Sequence, residues 1–473
     1  MNYLVKNYTS KIAGKAILIA TVSACLAIAI VSCNIASKPE NQTGKKHVVE
    51  SRVIHPAWAE NAVIYEVNVR QYTVEGTFKA FSSHLPRLKV LGVDILWLMP
   101  VNPIGEINRK GSLGSYYAVK DYRKVNPEFG TIADLTDLVK QAHALNMHVI
   151  IDWVGNHSAW DNPLYVEHPD WYKKDTLGKT ISPSNWTDVI KLDYDKPELF
   201  SYMINSLEFW VNETGIDGFR CDVAGAVPCN FWDSARIALD KIKPVFMLAE
   251  DESTNCLVEK AFDMNYAWGL LHIMNDIGKG KQNADSLKKY FEKQDSLYNP
   301  NEYRMNFLTN HDENTWSGTE FERLGNAVDA LAVLTFTAPG MPLIYNGQEA
   351  GMHKRLLFFD KDTIPWSENK WAPFYKKLVE LRKENSIFWS GNAGGSFKTI
   401  DIQNNKNIFA FTRENEKEKA IVLLNLSDKP VDFKLDNKEL KGSFTNYFTS
   451  KNCAPGSDFK LPAYDYLVLL EKK

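Results

Sequence analysis

From Ala62 onward, short runs rich in β-branched and aromatic residues alternate with longer amphipathic stretches, and few folds accept that alternation. The β-rich runs fall at residues 63–69, 94–98, 148–154, 215–221, 245–249, 260–264, 304–308 and 342–345. Between them, stretches such as 131–145, 197–213 and 285–294 carry apolar residues at helical spacing, and the second opens with Asp195-Lys196-Pro197, a good helix start. Eight such units predict an α/β protein built as a (β/α)8 TIM barrel. The stretch after the third run, 155–192, is rich in Trp, Pro, Asp and Asn and too long for an ordinary βα loop, so it reads as a small excursion beside an active site. Past a helix predicted at 371–383 the pattern changes to alternating strands at 408–412, 420–426, 431–435 and 466–471, which predicts a C-terminal antiparallel β-sandwich. The expected division is a catalytic barrel over 59–385 and a sandwich domain over 386–473.

The N-terminus follows other rules. Lys6, Lys11 and Lys15 precede an apolar run over 16–31 that ends in Ile30-Val31-Ser32-Cys33. This has the form of a secretory signal peptide over 1–33 closed by a lipobox, with Cys33 as the lipidated residue, and the polar stretch 34–58 reads as a tether. At about 16 residues the run falls short of the roughly 20 that comfortably span a bilayer. The expected location is therefore exported and membrane-anchored, on the periplasmic or cell-surface side. Lys+Arg 55 against Asp+Glu 58, with no dense basic run after the leader, excludes a nucleic-acid footprint and favours a neutral substrate. The cysteines Cys221, Cys229, Cys256 and Cys453 show no metal spacing, and their disulfides cannot be assigned from order alone. Cys221, inside an apolar strand, reads as a buried thiol.

In a barrel of this kind, polar residues just past apolar β runs are the ones that meet a substrate. Four places qualify: Asp152-Trp153-Val154-Gly155-Asn156-His157; Arg220 with Asp222; Glu250 after Ala249; and Asn310-His311-Asp312. Glycoside hydrolysis requires one carboxylate at the anomeric carbon and one carboxylic acid at the leaving oxygen, and strand-end Asp222 and Glu250 supply both, at a separation of about 5 Å if the mechanism is retaining. Arg220, two residues before Asp222, shares its side of the strand and is expected to lower that aspartate's pKa. Glu250 is expected to be raised by burial and neighbouring carboxylates. Trp153, pointing away from Asp152, is expected in the core.

These four stretches resemble the four sequence regions of the α-amylase superfamily, glycoside hydrolase family 13. The likeness extends to Gly114-Ser115-Tyr116-Tyr117, Asn126-Pro127-Glu128-Phe129-Gly130-Thr131 and the stretch around Pro339-Gly340-Met341-Pro342, so it covers nearly the whole barrel. The resemblance implies Asp222 as nucleophile, Glu250 as general acid/base and Asp312 as the third carboxylate, which holds sugar hydroxyls. It also implies that Tyr117, His157, Arg220 and His311 form the sugar site, with Tyr117 under the ring, the histidines on hydroxyls and Arg220 supporting the nucleophile.

Calcium-dependent amylases carry a Lys-His pair shortly after the nucleophile, whereas here Val223-Ala224-Gly225-Ala226-Val227-Pro228 follows. Asn156 matches an amylase calcium ligand, but an asparagine equally caps a turn, so no required metal or other cofactor is expected. The expected activity is retaining hydrolysis of α-glucans or maltooligosaccharides. Transfer to a sugar acceptor uses the same residues and stays open, as does a catalytically silent, membrane-anchored member. Linkage and endo or exo action also stay open, although the short excursion points to oligosaccharides.

Overall fold

The computed structural model describes residues 53–297, 299–367, 369–402, 405–435, 442–453 and 458–472; the expected leader over 1–33, its Cys33, and the tether as far as residue 52 lie outside these. Eight parallel strands close into a barrel: β1 (Ile64–Val67), β2 (Ile95–Leu98), β3 (His148–Trp153), β6 (Gly218–Cys221), β7 (Phe246–Ala249), β8 (Met264–Tyr266), β9 (Tyr303–Asn306) and β10 (Met341–Tyr345). The excursion after β3 holds β4 (His157–Ala159) and β5 (Val189–Lys191), paired antiparallel. Burial on both faces explains why most barrel strands are near-continuous apolar runs.

The expected strand at 260–264 is displaced. Its apolar Ala261 and Phe262 pack into the core below the barrel, and the strand is the three-residue β8 that begins at Met264. Gly218, opening β6, sits at φ +149°, where a Cβ would meet the carbonyl oxygen of Phe246 at 1.9 Å, so only glycine lets β6 and β7 approach here. Among the surrounding helices, Ile132–Ala144 is closed at its N-terminus by a reciprocal Thr131–Asp134 capping box, and Pro197–Thr214 starts on proline as its sequence indicated.

The C-terminal region comprises β11 (Ser396–Ile400), β12 (Ile408–Glu414), β13 (Glu418–Asn425), β14 (Val431–Lys434), β15 (Phe444–Asn446), β16 (Asn452–Cys453), β17 (Asp458–Leu461) and β18 (Tyr466–Lys472). They form a six-stranded sheet, ordered β11-β12-β13-β18-β15-β16, and a two-stranded sheet β14-β17. Ile421, Leu423 and Leu469 of the larger sheet pack with Phe433, Phe459 and Leu461 of the smaller one, which is the core of a sandwich.

One boundary differs from expectation. The stretch 53–58, assigned to the tether, is packed against the barrel: the His55 ring stacks on Tyr303 at 4.1 Å and bonds Asp263 at 2.9 Å, and Trp58 stacks on His148 at 3.8 Å. Two aromatic rings gain enough from burial there to order the segment. The same end of the barrel carries Asp217, which accepts from the Val149 N–H at 2.8 Å, His143 Nε2 at 2.7 Å and Lys243 Nζ at 2.8 Å. His143, His148 and Asp217 lie close enough to hold a metal ion, but the Lys243 ammonium already occupies the carboxylate.

Burial alone would raise the Asp217 carboxyl, yet its bonds from His143 and Lys243, with His148 Nδ1 at 3.7 Å, hold it well below the usual range. A depressed pKa contributes stability above the unfolded value of about 3.9 that is lost as pH falls toward the folded one. Asp217→Asn is expected to lower unfolding free energy at pH 7 by about 2–4 kcal/mol. The gap from the parent should shrink below about pH 4 in urea titrations; a gap independent of pH would count against this.

Candidate active site

The polar residues at the strand ends converge at the C-terminal mouth of the barrel around Arg220. This side chain is fully buried, with its NH1 nitrogen 2.9 Å from Asp152 Oδ1 and 3.2 Å from Asp222 Oδ1, and its NH2 nitrogen 2.8 Å from Glu250 Oε2. One guanidinium thus binds carboxylates from three neighbouring strands, β3, β6 and β7. Glu250 Oε2 also accepts the Val223 N–H at 2.8 Å. Val223 has φ +37°, a left-handed conformation that costs a β-branched residue energy, and it aims the amide following Asp222 at Glu250.

Arg220 pulls the Asp222 carboxyl down as expected, but it does not win. Burial, with the charge of Glu250 next in size, raises Asp222 well above the carboxylate range. Glu250 is raised as well, chiefly by burial and against the pull of Arg220. Two such carboxyls titrate as a pair.

The two histidines are in opposite states. Burial takes His157 down to about 4, so it is neutral, with Nε2 at 4.0 Å from Asp222 Oδ2. Burial also acts to lower His311, but Asp312 and Glu66 outweigh it and push it up to about 9. His311 Nδ1 is 2.5 Å from Glu66 Oε1, and its Nε2 is 2.8 Å from Tyr117 Oη and 3.3 Å from Asp312 Oδ2. Tyr117 donates its hydroxyl proton to Asp152 Oδ2 at 3.0 Å and lays its ring parallel to that of His311.

Tyr117, His157, Asp222, Glu250, His311 and Asp312 line one cavity of about 410 Å³. That is near the small end of the roughly 300–1,000 Å³ typical of ligand pockets. Arg220, grouped beforehand with the sugar contacts, does not line it; the guanidinium lies beneath the carboxylates with no exposed surface. Trp153 is buried against Tyr122 and Phe219, on the core side.

Several cavity residues, among them Lys110, Trp316, Phe358 and Phe359, are not assigned by the sequence, whereas Trp186 belongs to the excursion whose aromatic residues are expected to shape substrate choice. Lys110, in the loop after β2, pairs at 2.7 Å with Asp188 of the excursion, and Trp186 packs edge-on against His157. On another wall Trp316 meets Phe358 and Phe359. The strand-end rule reaches Trp316, which lies on a turn directly after Asp312. Lys110, Phe358 and Phe359 sit mid-loop, where no local pattern marks them.

A family profile described as the α-amylase catalytic domain matches residues 47–191 and 186–371. The chain belongs to the α-amylase family. It is therefore a glycoside hydrolase, and a second profile, the C-terminal domain of maltogenic amylase, matches residues 397–468. The fold is similar to a noncanonic maltogenic α-amylase of Thermotoga neapolitana, with TM-score 0.80 and 31% identity over 87% of this chain and 99% of that one. An α-amylase of Lactobacillus plantarum gives TM-score 0.78 and 31% identity over 88% and 99%. In sequence, the chain is 27% identical to a cyclomaltodextrinase of a Bacillus species over 438 residues, 78% of this chain and 73% of the relative.

Where calcium-dependent members of the family carry Lys-His, the stretch after Asp222 is closed differently. Trp232 Nε1 donates to the Ala224 carbonyl, and a disulfide joins Cys229 to Cys256, the first residues of the helices that follow β6 and β7. Asn156 faces the His157 ring at 3.2 Å. With an indole on the carbonyl and no carboxylate in 223–228, these residues do not fit a calcium cage.

Proposed function

We propose that this α-amylase family member hydrolyses short α-linked glucose oligosaccharides with retention, through a covalent glycosyl-enzyme. The observation that carries the reading is the single guanidinium of Arg220 shared by Asp222 and Glu250 at the floor of the cavity. Bridging by one side chain suits the short carboxyl gap of a retaining pair.

In the first step an Asp222 oxygen attacks the anomeric carbon while Glu250 gives its proton to the departing glycosidic oxygen. In the second, Glu250 takes a proton from water, whose oxygen displaces Asp222 and restores the starting state. Asp312 and neutral His157 hydrogen-bond the sugar hydroxyls, and the Tyr117 ring supports the sugar from below. A cavity of about 410 Å³ and the likeness to a cyclomaltodextrinase favour oligosaccharides over polymeric starch.

The test is hydrolysis of maltose, maltotriose, cyclodextrin, isomaltose, trehalose, pullulan and starch, with the product anomer followed by NMR. Release of the α-anomer from the short substrates is expected. Initial release of the β-anomer, or products longer than the substrate as the main species, would overturn the reading.

The expected placement is a lipid-anchored exported protein, with Cys33 as the lipidated residue. The Cys229–Cys256 disulfide supports export, since such bonds persist in oxidising compartments. Cells fed radiolabelled palmitate should label the wild-type protein and not Cys33→Ser, which should shift from the membrane fraction to the soluble one. Equal labelling of the two would remove Cys33 as the anchor.

A further inference from the structure

Glu66 is a fully buried carboxylate in the middle of β1, between Tyr65 and Val67. Such a group is costly unless it is paired, and its Oε1 lies 2.5 Å from His311 Nδ1. Its other oxygen, Oε2, has no hydrogen-bond partner among the described residues.

The proton accounting at His311 is constrained. Burial raises the Glu66 carboxyl, and the charge and bond of His311 oppose that rise; facing Glu66 as a carboxylate, which can only accept, Nδ1 carries a hydrogen. Nε2 faces Tyr117 Oη and Asp312 Oδ2. The single proton of Tyr117 is directed to Asp152 Oδ2, whose other donors are Trp97 Nε1 and Arg220. Nε2 is thus left with two acceptors and is satisfied only by carrying a hydrogen as well.

We propose that Glu66 is a positioning residue that keeps His311 doubly protonated, so that an Nε2–H donor stands fixed beside Asp312 where the sugar hydroxyls bind. The inference rests on the hydrolytic reading of this site. The parallel Tyr117 ring on His311 also favours a cation.

The charged and titratable groups around the pair come from every neighbouring strand. Glu250 and Asp312 act on His311, and Asp152 and Arg220 act on both members, Arg220 opposing the cation. Tyr266 and Tyr345 face Glu66, and burial raises both phenols well above their ordinary range, so they stay neutral. Asp312 and Glu66 together outweigh burial and Arg220, and the balance holds the imidazolium to about pH 9.

The experiment is ¹⁵N NMR of histidine-labelled full-length protein across pH 6 to 10, with the His311 signals assigned by their loss in His311→Gln. In the parent both nitrogens should be protonated at pH 8. In Glu66→Gln, which keeps the shape of the side chain, His311 should be neutral at pH 8, and kcat on maltotriose should fall at least tenfold there with less than a threefold change in KM. Glu66→Asp should restore part of the imidazolium signal.

A neutral His311 in the parent at pH 8 overturns the proposal without any variant. An unchanged titration in folded Glu66→Gln overturns it equally. Absence of hydrolysis by the parent would sink the functional reading while leaving the NMR result standing.

Discussion

Asp222→Asn is expected to reduce kcat/KM on maltotriose by about four orders of magnitude or more, the size of loss seen when a nucleophile is removed from a set of residues acting as a unit. The amide is nearly the same size, so the cavity, the Arg220 contacts to Asp152 and Glu250, and the fold should persist. Substrate binding should change by less than tenfold, since Tyr117, His157, His311 and Asp312 still line the pocket. The outcome to look for is lost turnover with kept affinity, read by calorimetry with an unhydrolysed oligosaccharide. A variant with more than about a tenth of parent activity would mean that Asp222 is not the nucleophile.

The second large effect is at Arg220, where structure and chemistry cannot be separated by one substitution. Arg220→Met leaves buried Asp152 without its cation and removes the charge shared by Asp222 and Glu250. Breaking a buried pair in this way costs about 3–5 kcal/mol, because the carboxylates must stay buried uncompensated or take up protons. Urea midpoints should fall accordingly, and activity should drop by at least a hundredfold in whatever remains folded at 25 °C. Arg220→Lys keeps a cation but cannot fork to three carboxylates, so it should recover more stability than activity. Parent-like stability in Arg220→Met would show that the carboxylates are not relying on this cation.

Much of this site was legible because barrel chemistry places polar groups directly after apolar runs, and Asp222, Glu250 and Asp312 all sit there. Glu66 was hidden for the opposite reason: it lies inside β1, and its partner His311 is 245 residues away. The disulfide was hidden because cysteine order does not choose among pairings, whereas the fold brings the Cys229 and Cys256 Cα atoms to 6.2 Å. β15 to β17 are two to four residues each and leave too little pattern to read. The rise of Asp222 is not legible in the sequence, because an arginine two residues away is visible there and burial beside Glu250 is not.

The His55 and Trp58 rings bear on how a substrate would reach the enzyme. They dock against His148, Phe246 and Tyr303, each the first residue of its strand, whereas Asp222, Glu250 and Asp312 follow the last residues of theirs. The chain therefore enters the folded body through the floor of the barrel, at the pole opposite the sugar cavity. Under the proposed anchoring, a pull transmitted through Val53 would load that floor rather than the loops that carry Asp222, Glu250 and Asp312.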